Sequence, residues 1–138
     1  MSTENNTDLV RRFYQALEQA DYATITGMFH PDFVFYGQLD TPRPGAAGFI
    51  EAEKKHLDAF PGIRLTVVHS VAEADRVGAF VVVEGAQAGD YYGVPPQGAH
   101  VRFSMFNLFT IKDGKIIEKR AHYNLLDTIE QLKAGSGA

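Results

Sequence analysis

An Asp-Gly pair between two long runs of β-branched and aromatic residues is the feature that most constrains this chain. The stretch Val101–Leu126 reads VRFSMFNLFTIKDGKIIEKRAHYNLL and is interrupted only at Lys112-Asp113-Gly114. Asp-Gly in that setting is a hairpin signal, because the tight turn needs residues that tolerate positive φ. The pattern predicts paired antiparallel strands over Val101–Ile111 and Lys115–Asn124. Both exceed the usual strand of about five to six residues, as the spine of a curved sheet would. A type I turn with Gly114 as the left-handed bulge residue sets Ile111 opposite Lys115, whereas a two-residue turn would swap the faces of the second strand.

Side chains alternate between the two faces of a strand. On the type I choice, one face carries Phe103, Met105, Asn107 and Phe109, with Ile117, Lys119, Ala121 and Tyr123 beside them. The other side of the second strand carries Glu118, Arg120, His122 and Asn124. An apolar face holding one Asn, one Lys and one Tyr has the make-up of a small-molecule pocket wall. The competing reading puts Asn107 near a strand end and lets Lys119 snorkel to water.

Upstream, Val10, Phe13, Tyr14 and Leu17 recur at helical spacing, predicting a helix from about Thr7 after a frayed start. Asp21 is an N-cap for a short helix through Phe29, broken by His30-Pro31-Asp32. Phe33–Tyr36 reads as a strand that leads into a loop holding Asp40. A helix over Ala46–Phe60 carries an inward stripe of Phe49, Ala52, His56, Leu57 and Phe60, with Glu53 on its margin. Period-two patterning then predicts strands over Ile63–Val71 and Arg76–Ala88. The second places Ala79, Val81, Val83, Gly85 and Gln87 on one face. Gly89–Gly98, GDYYGVPPQG, is a loop bearing Tyr91 and Tyr92. A last helix fits Leu125–Leu132, and the closing AGSGA is expected to be disordered. Helices first and four long antiparallel strands afterwards make one α+β domain spanning 1–138, with an ordered core of about 7–132 and the helices on one side of the sheet.

Composition narrows the function classes. A net charge of −4 argues against nucleic acid as partner. No run approaches the ~20 apolar residues of a membrane helix, and MSTENNTDLV lacks the basic and apolar regions expected of a signal peptide. The absence of cysteine removes disulfides, thiol catalysis and cysteine-bound metals, and fits a cytoplasmic protein. His30, His56, His69, His100 and His122 are scattered without metal-ligand spacing, and no glycine-rich phosphate loop opens a helix, so neither a metal nor a cofactor is expected. Ser104 and Thr110 have no partners for nucleophilic catalysis.

VRRFYQALEQAD, AFPGIRL, GDYYGVPPQG and FNLFTIKDGKIIEKRAHYNLLDTIEQL together resemble the SnoaL-like polyketide cyclase family. That family belongs to the nuclear transport factor 2-like superfamily of cone-shaped α+β folds, which also holds ketosteroid isomerase and scytalone dehydratase. The resemblance runs from about Thr7 to Leu132. It implies a curved antiparallel sheet wrapped around the N-terminal helices, a cofactor-independent cyclase or isomerase, and a homodimer, with Glu118, Arg120 and His122 on the convex face. The ligand would be apolar and oxygenated, like a polyketide or a steroid. SnoaL-like cyclases carry a His and an Asp on the two hairpin strands, and the matching positions here are Asn107 and Ala121. The Tyr, Asp and Asp of ketosteroid isomerase match Phe13, Gly37 and Asn107.

Asn107 can donate to an oxyanion but cannot be the base, so the base falls to His56, Asp40 or Lys119. Desolvation would also equip Lys119 as a Schiff-base amine. The remaining wall of the hollow is expected from Phe13, Tyr14 and Leu17, from Phe33 and Phe35, and from Phe49 and Phe60. The sheet adds Val81, Val83, Gln87, Met105, Phe109, Ala121 and Tyr123, and the loop adds Tyr92. Tyr14 and Tyr123 are either hydrogen-bond donors or packing aromatics. The alternative function is a non-catalytic binding domain for a hydrophobic small molecule.

Overall fold

The computed structural model describes residues 2–135. Its helices α1 (Thr3–Glu18), α2 (Tyr22–Met28), α3 (Ala46–Ala59) and α4 (Leu125–Ala134) accompany strands β1 (Phe29–Tyr36), β2 (Pro42–Pro44), β3 (Arg64–Glu73), β4 (Arg76–Ala86), β5 (His100–Lys112) and β6 (Lys115–Tyr123). The strands form one six-stranded sheet in the order β2-β1-β6-β5-β4-β3. Neighbours pair antiparallel except β1 and β6, which run parallel. Among the described residues no helix is long and apolar enough to cross a membrane.

The first helix starts earlier than its apolar stripe suggests. Ser2 caps it by accepting from the Asn5 amide at 3.0 Å, which satisfies an otherwise orphaned N–H. Asn6, expected to be frayed, is buried instead, and its Nδ2 donates to the Ala74 carbonyl at 3.3 Å. That contact ties the helix start to the turn between β3 and β4. Leu9, Val10, Phe13, Tyr14 and Leu17 are buried along one face. Asp21 caps α2 as expected, and the helix ends at Met28 because the chain turns extended at Phe29.

His30-Pro31-Asp32 does not separate a helix from a strand; it lies within β1. Proline has no N–H for a ladder, and the β1–β6 register shifts between Phe29 and Val34, where Pro31 sits. The loop beyond β1 contains the short edge strand β2. Pro42 and Pro44 suit it because an edge strand pairs on one side only. Of the closing AGSGA, Ala134 ends α4, Gly135 is its C-cap, and 136–138 lie outside the described residues.

The hairpin corrects the predicted turn. Lys112 pairs with Lys115, so the turn has two residues, and both Asp113 (φ 53°) and Gly114 (φ 73°) are left-handed. This is the geometry that matches the twist of the flanking strands. Ile111 pairs with Ile116 and Thr110 with Glu118, leaving Ile117 as the extra residue of a bulge. The bulge restores the face that the two-residue turn would have swapped. Asn107 therefore faces Ala121, Phe109 faces Lys119 and Met105 faces Tyr123, all on the concave side. Near the turn, Ile116 replaces Ile117 in the core.

Aromatic rings fill the narrow end of the cone. Phe13 packs on Tyr14, Phe29, Phe49 and Phe109 with ring centres 5.1–5.9 Å apart. Phe29 and Phe33 stack at 3.9 Å, and Phe33 meets Phe49 edge-on. Phe13, Phe33, Phe49 and Phe109, expected to line a hollow, occupy this end themselves. Leu17, Val81 and Val83 are buried in the same core. Each ring so buried stabilises the fold by roughly 1.5–3 kcal/mol.

Candidate functional site

Open space lies at the wide end, in a cleft of about 600 Å³ between α3 and the loop that follows β4. Helix α3 contributes Ala52, Lys55, His56, Asp58 and Ala59; the loop contributes Gly89, Asp90, Tyr91 and Tyr92; Arg43 comes from β2. The cleft volume suits a drug-sized ligand. Asp40 is exposed between β1 and β2 and does not line it.

Local geometry presents the two tyrosines differently. Tyr91 and Val94 exchange backbone hydrogen bonds at 3.1 and 2.9 Å around Tyr92 and Gly93, both at positive φ. The turn swings Tyr92 outward and turns Tyr91 in against Phe60, with ring centres 5.1 Å apart. Gln87 braces the loop from below, its Nε2 donating to the carbonyls of Gly89 at 2.9 Å and Val94 at 2.7 Å. Its Oε1 is buried without a partner among the described residues.

Tyr91 is the centre of a hydrogen-bonded chain. Its hydroxyl lies 3.0 Å from His56 Nδ1 and 3.2 Å from the Tyr123 hydroxyl. Burial pushes the Tyr91 phenol up to about 12, partly opposed by the bond to Tyr123. Burial and the neighbouring tyrosines raise Tyr123 well beyond the usual phenol range. Both therefore remain protonated donors at neutral pH. Phe103 stacks on Tyr123 at 5.5 Å and holds the ring in place.

Deeper in the cone a second polar group is enclosed by the rings. Asn107 Nδ2 donates to the Tyr14 hydroxyl at 2.5 Å, and both residues are buried. Asn107 Oδ1 has no partner among the described residues. Burial raises Tyr14 well above the ordinary phenol value, as does the charge of Glu53 to a lesser degree. Lys119 is 3% exposed, and its Nζ stands 5.1, 5.4 and 5.6 Å from the ring centres of Phe35, Phe49 and Phe109. Burial lowers its ammonium to about 8, partly offset by Glu53. Ala121, half-buried opposite Asn107, adds no functional group.

Phe49, Glu53, His56 and Phe60 recur at spacings of four, three and four, one face of α3. Glu53 belongs to that face, not merely to its margin, since its charge reaches Tyr14, Tyr91 and Lys119. The helical period alone could have found it. Tyr91, Arg43, Lys55, Asp58 and Asp90 left no comparable local signal. Of the acid–base candidates, the structure places His56 at the cleft and Asn107 and Lys119 in the interior. Phe35 and Met105 are half-buried, Phe35 against Lys119 and Met105 opposite Tyr123.

A curled α+β sheet closed by helices, with its polar groups on the concave face, defines the nuclear transport factor 2-like class. The SnoaL-like polyketide cyclase model matches residues 7–132, and the chain belongs to that family. Among solved structures it is similar to AclR from Streptomyces galilaeus, a candidate hydroxylase, at 26% identity and TM-score 0.88, covering 96% of this chain and 98% of that one. A candidate SnoaL-like polyketide cyclase from Jannaschia sp. CCS1 has the same identity and TM-score, covering 96% and 94%. An epoxide hydrolase of the LEH-like type from M. tuberculosis shares the fold at 17% identity and TM-score 0.75, covering 96% and 92%. No curated protein matches the chain.

Proposed function

We propose that this protein is a cofactor-independent cyclase or isomerase that moves a proton beside a carbonyl group. Its substrate is an apolar, oxygenated molecule of polyketide or steroid type, met in the cytoplasm. The observation that carries this reading is the hydrogen-bonded chain that starts at His56 and Tyr91 in the cleft wall and runs inward to Tyr123. With His56 Nδ1–H donating to Tyr91 and Tyr91 donating to Tyr123, the His56 Nε2 lone pair is free to take a proton from carbon. The Tyr123 O–H is then free to donate to the oxygen on which negative charge develops. Such a pairing of base and oxyanion donor is what an enolising step requires. A homodimer belongs to the same reading: Phe80 and Phe106 pair across β4 and β5 on the convex face, where both are exposed.

The test is solvent deuterium uptake at carbon. Polycyclic ketones and β-diketones are incubated with the protein in D2O and followed by NMR. The reading expects uptake by the native protein and its loss in His56→Gln. The second reading, a binding domain, is favoured by Asn107 and Ala121, neither of which can accept a proton from carbon. Ligands that raise the melting temperature by mass action, with neither uptake nor turnover, would decide for it.

A further inference from the structure

Lys119 takes no part in the proton transfer described above, and its setting is unusual for a lysine. The side chain extends from β6 into the concave face, where Phe109 is its cross-strand neighbour. Three phenyl rings surround Nζ within 5.1–5.6 Å. Among the described residues no hydrogen-bond acceptor or ion-pair partner meets it. An ammonium held this way exchanges its hydration for ring contacts and the charge of Glu53, so the balance moves toward the neutral amine.

A lysine kept for structure would more simply snorkel to water. Phe35, one residue before the end of β1, is the half-buried ring of the three, whereas Phe49 and Phe109 are fully buried. Asn107 lies diagonally across the ladder on the same face, with an unpartnered Oδ1 and with Tyr14 bonded to its Nδ2. Glu53 faces the amine from α3 and is the carboxylate whose charge reaches it; Tyr14 faces the same interior from α1.

We propose that Lys119 is an imine-forming amine for apolar aldehydes and ketones, a covalent carbonyl-capture site built into the aromatic interior. The Nζ lone pair adds to the carbonyl carbon, and the C=O π electrons move to oxygen, which takes up a proton. Nitrogen then loses a proton, giving a neutral carbinolamine. Departure of the hydroxyl with one further proton releases water and leaves the C=N bond; hydrolysis reverses each step. Glu53 carries protons between nitrogen and oxygen, and the Tyr14–Asn107 pair offers hydrogen bonds to the oxygen of the carbinolamine. The compound enters as the half-buried Phe35 ring moves aside, and the buried rings of Phe49 and Phe109 favour an apolar carbonyl compound over a charged one.

The chemistry at Lys119 needs neither His56 nor Tyr91, so its test is separate from that of the proton-transfer reading. Full-length protein is treated with benzaldehyde and sodium cyanoborohydride, which adds hydride to an imine and fixes it as a benzylamine. Peptide mass mapping then follows each lysine. We expect Lys119 to be modified at least about tenfold faster than Lys54, Lys55, Lys112, Lys115 or Lys133 near neutral pH, because burial enlarges its neutral, nucleophilic fraction. Phe35→Ala speeds the reaction, Lys119→Arg abolishes the fast adduct, and His56→Gln leaves it intact. Lys119 labelling no faster than the exposed lysines, in both the native protein and Phe35→Ala, would overturn the proposal.

Discussion

Asn107 and Tyr14, separated by 93 positions in sequence, share a buried hydrogen bond of 2.5 Å that joins α1 to the middle of β5. Among the described residues neither side chain has another hydrogen-bond partner, so removing one strands the other in an apolar interior. Tyr14→Phe should destabilise the protein by about 1–3 kcal/mol in urea unfolding, and Asn107→Leu by a similar amount. The double variant Tyr14→Phe/Asn107→Leu should cost clearly less than the sum. Strict additivity would mean that the two groups do not depend on each other.

Burial of Lys119 has a consequence for stability against pH. Its folded value of about 8 lies below the ordinary 10.5 of the unfolded chain. Below pH ~8 both states hold the proton, and the fold bears the full cost of an enclosed charge. Between about 8 and 10.5 the unfolded state binds more protons, so this lysine makes stability rise with pH. The shift corresponds to about 3 kcal/mol. Glu53 from α3 and Tyr14 from α1 face the amine, and burial, which raises the Tyr14 phenol well above its ordinary value, keeps that phenol protonated in the folded state through this window. Lys119→Met should therefore raise the melting temperature at pH 7 and flatten its rise above pH 8. A variant less stable than the native chain at pH 7 would contradict this account.

His56 and the two phenols act as a unit in the proposed reaction. His56→Gln should reduce deuterium uptake about 10²- to 10⁴-fold. Tyr91→Phe should lose nearly as much, since it interrupts the chain to Tyr123, and combining the two should add little. Ligand-induced stabilisation should survive in both, which separates loss of chemistry from loss of binding. Undiminished uptake in His56→Gln would remove this histidine from the role of base.

Gln87 positions the loop without touching the open cleft. Gln87→Leu leaves the carbonyls of Gly89 and Val94 without their side-chain donor. The expected result is faster amide exchange at Tyr91 and Val94 and weaker ligand binding at the cleft, with little change in the hairpin. Unchanged exchange in that loop would show that the Tyr91–Val94 turn holds by its own backbone bonds.

Much of the architecture is legible locally. Period-two alternation assigned Asn107, Lys119, Ala121 and Tyr123 to one face of the hairpin, and they share it. It did so although the turn was of another type, because a one-residue bulge at Ile117 corrected the parity of a two-residue turn. Asp21 and the apolar periodicity of α1 and α3 likewise report on contacts a few residues apart, where helical and extended geometry leave a regular imprint.

What the chain could not disclose by itself are the meetings between distant segments. Parallel pairing of β1 with β6 depends on hydrogen bonds between backbones, which are alike in every residue and leave no pattern. The filling of the cone's narrow end by Phe13, Phe29, Phe33 and Phe49 depends on how three elements converge, since the same apolar stripes would serve a hollow or a plug. Both loop tyrosines lie near the His56 ring, but Tyr91 is the one hydrogen-bonded to it, because a positive-φ turn at Tyr92-Gly93 buries one phenol and leaves its neighbour exposed. Sequence determined which residues share an element's face; only the assembled fold decided which faces enclose space and which fill it, because packing is set by contacts that no local period records.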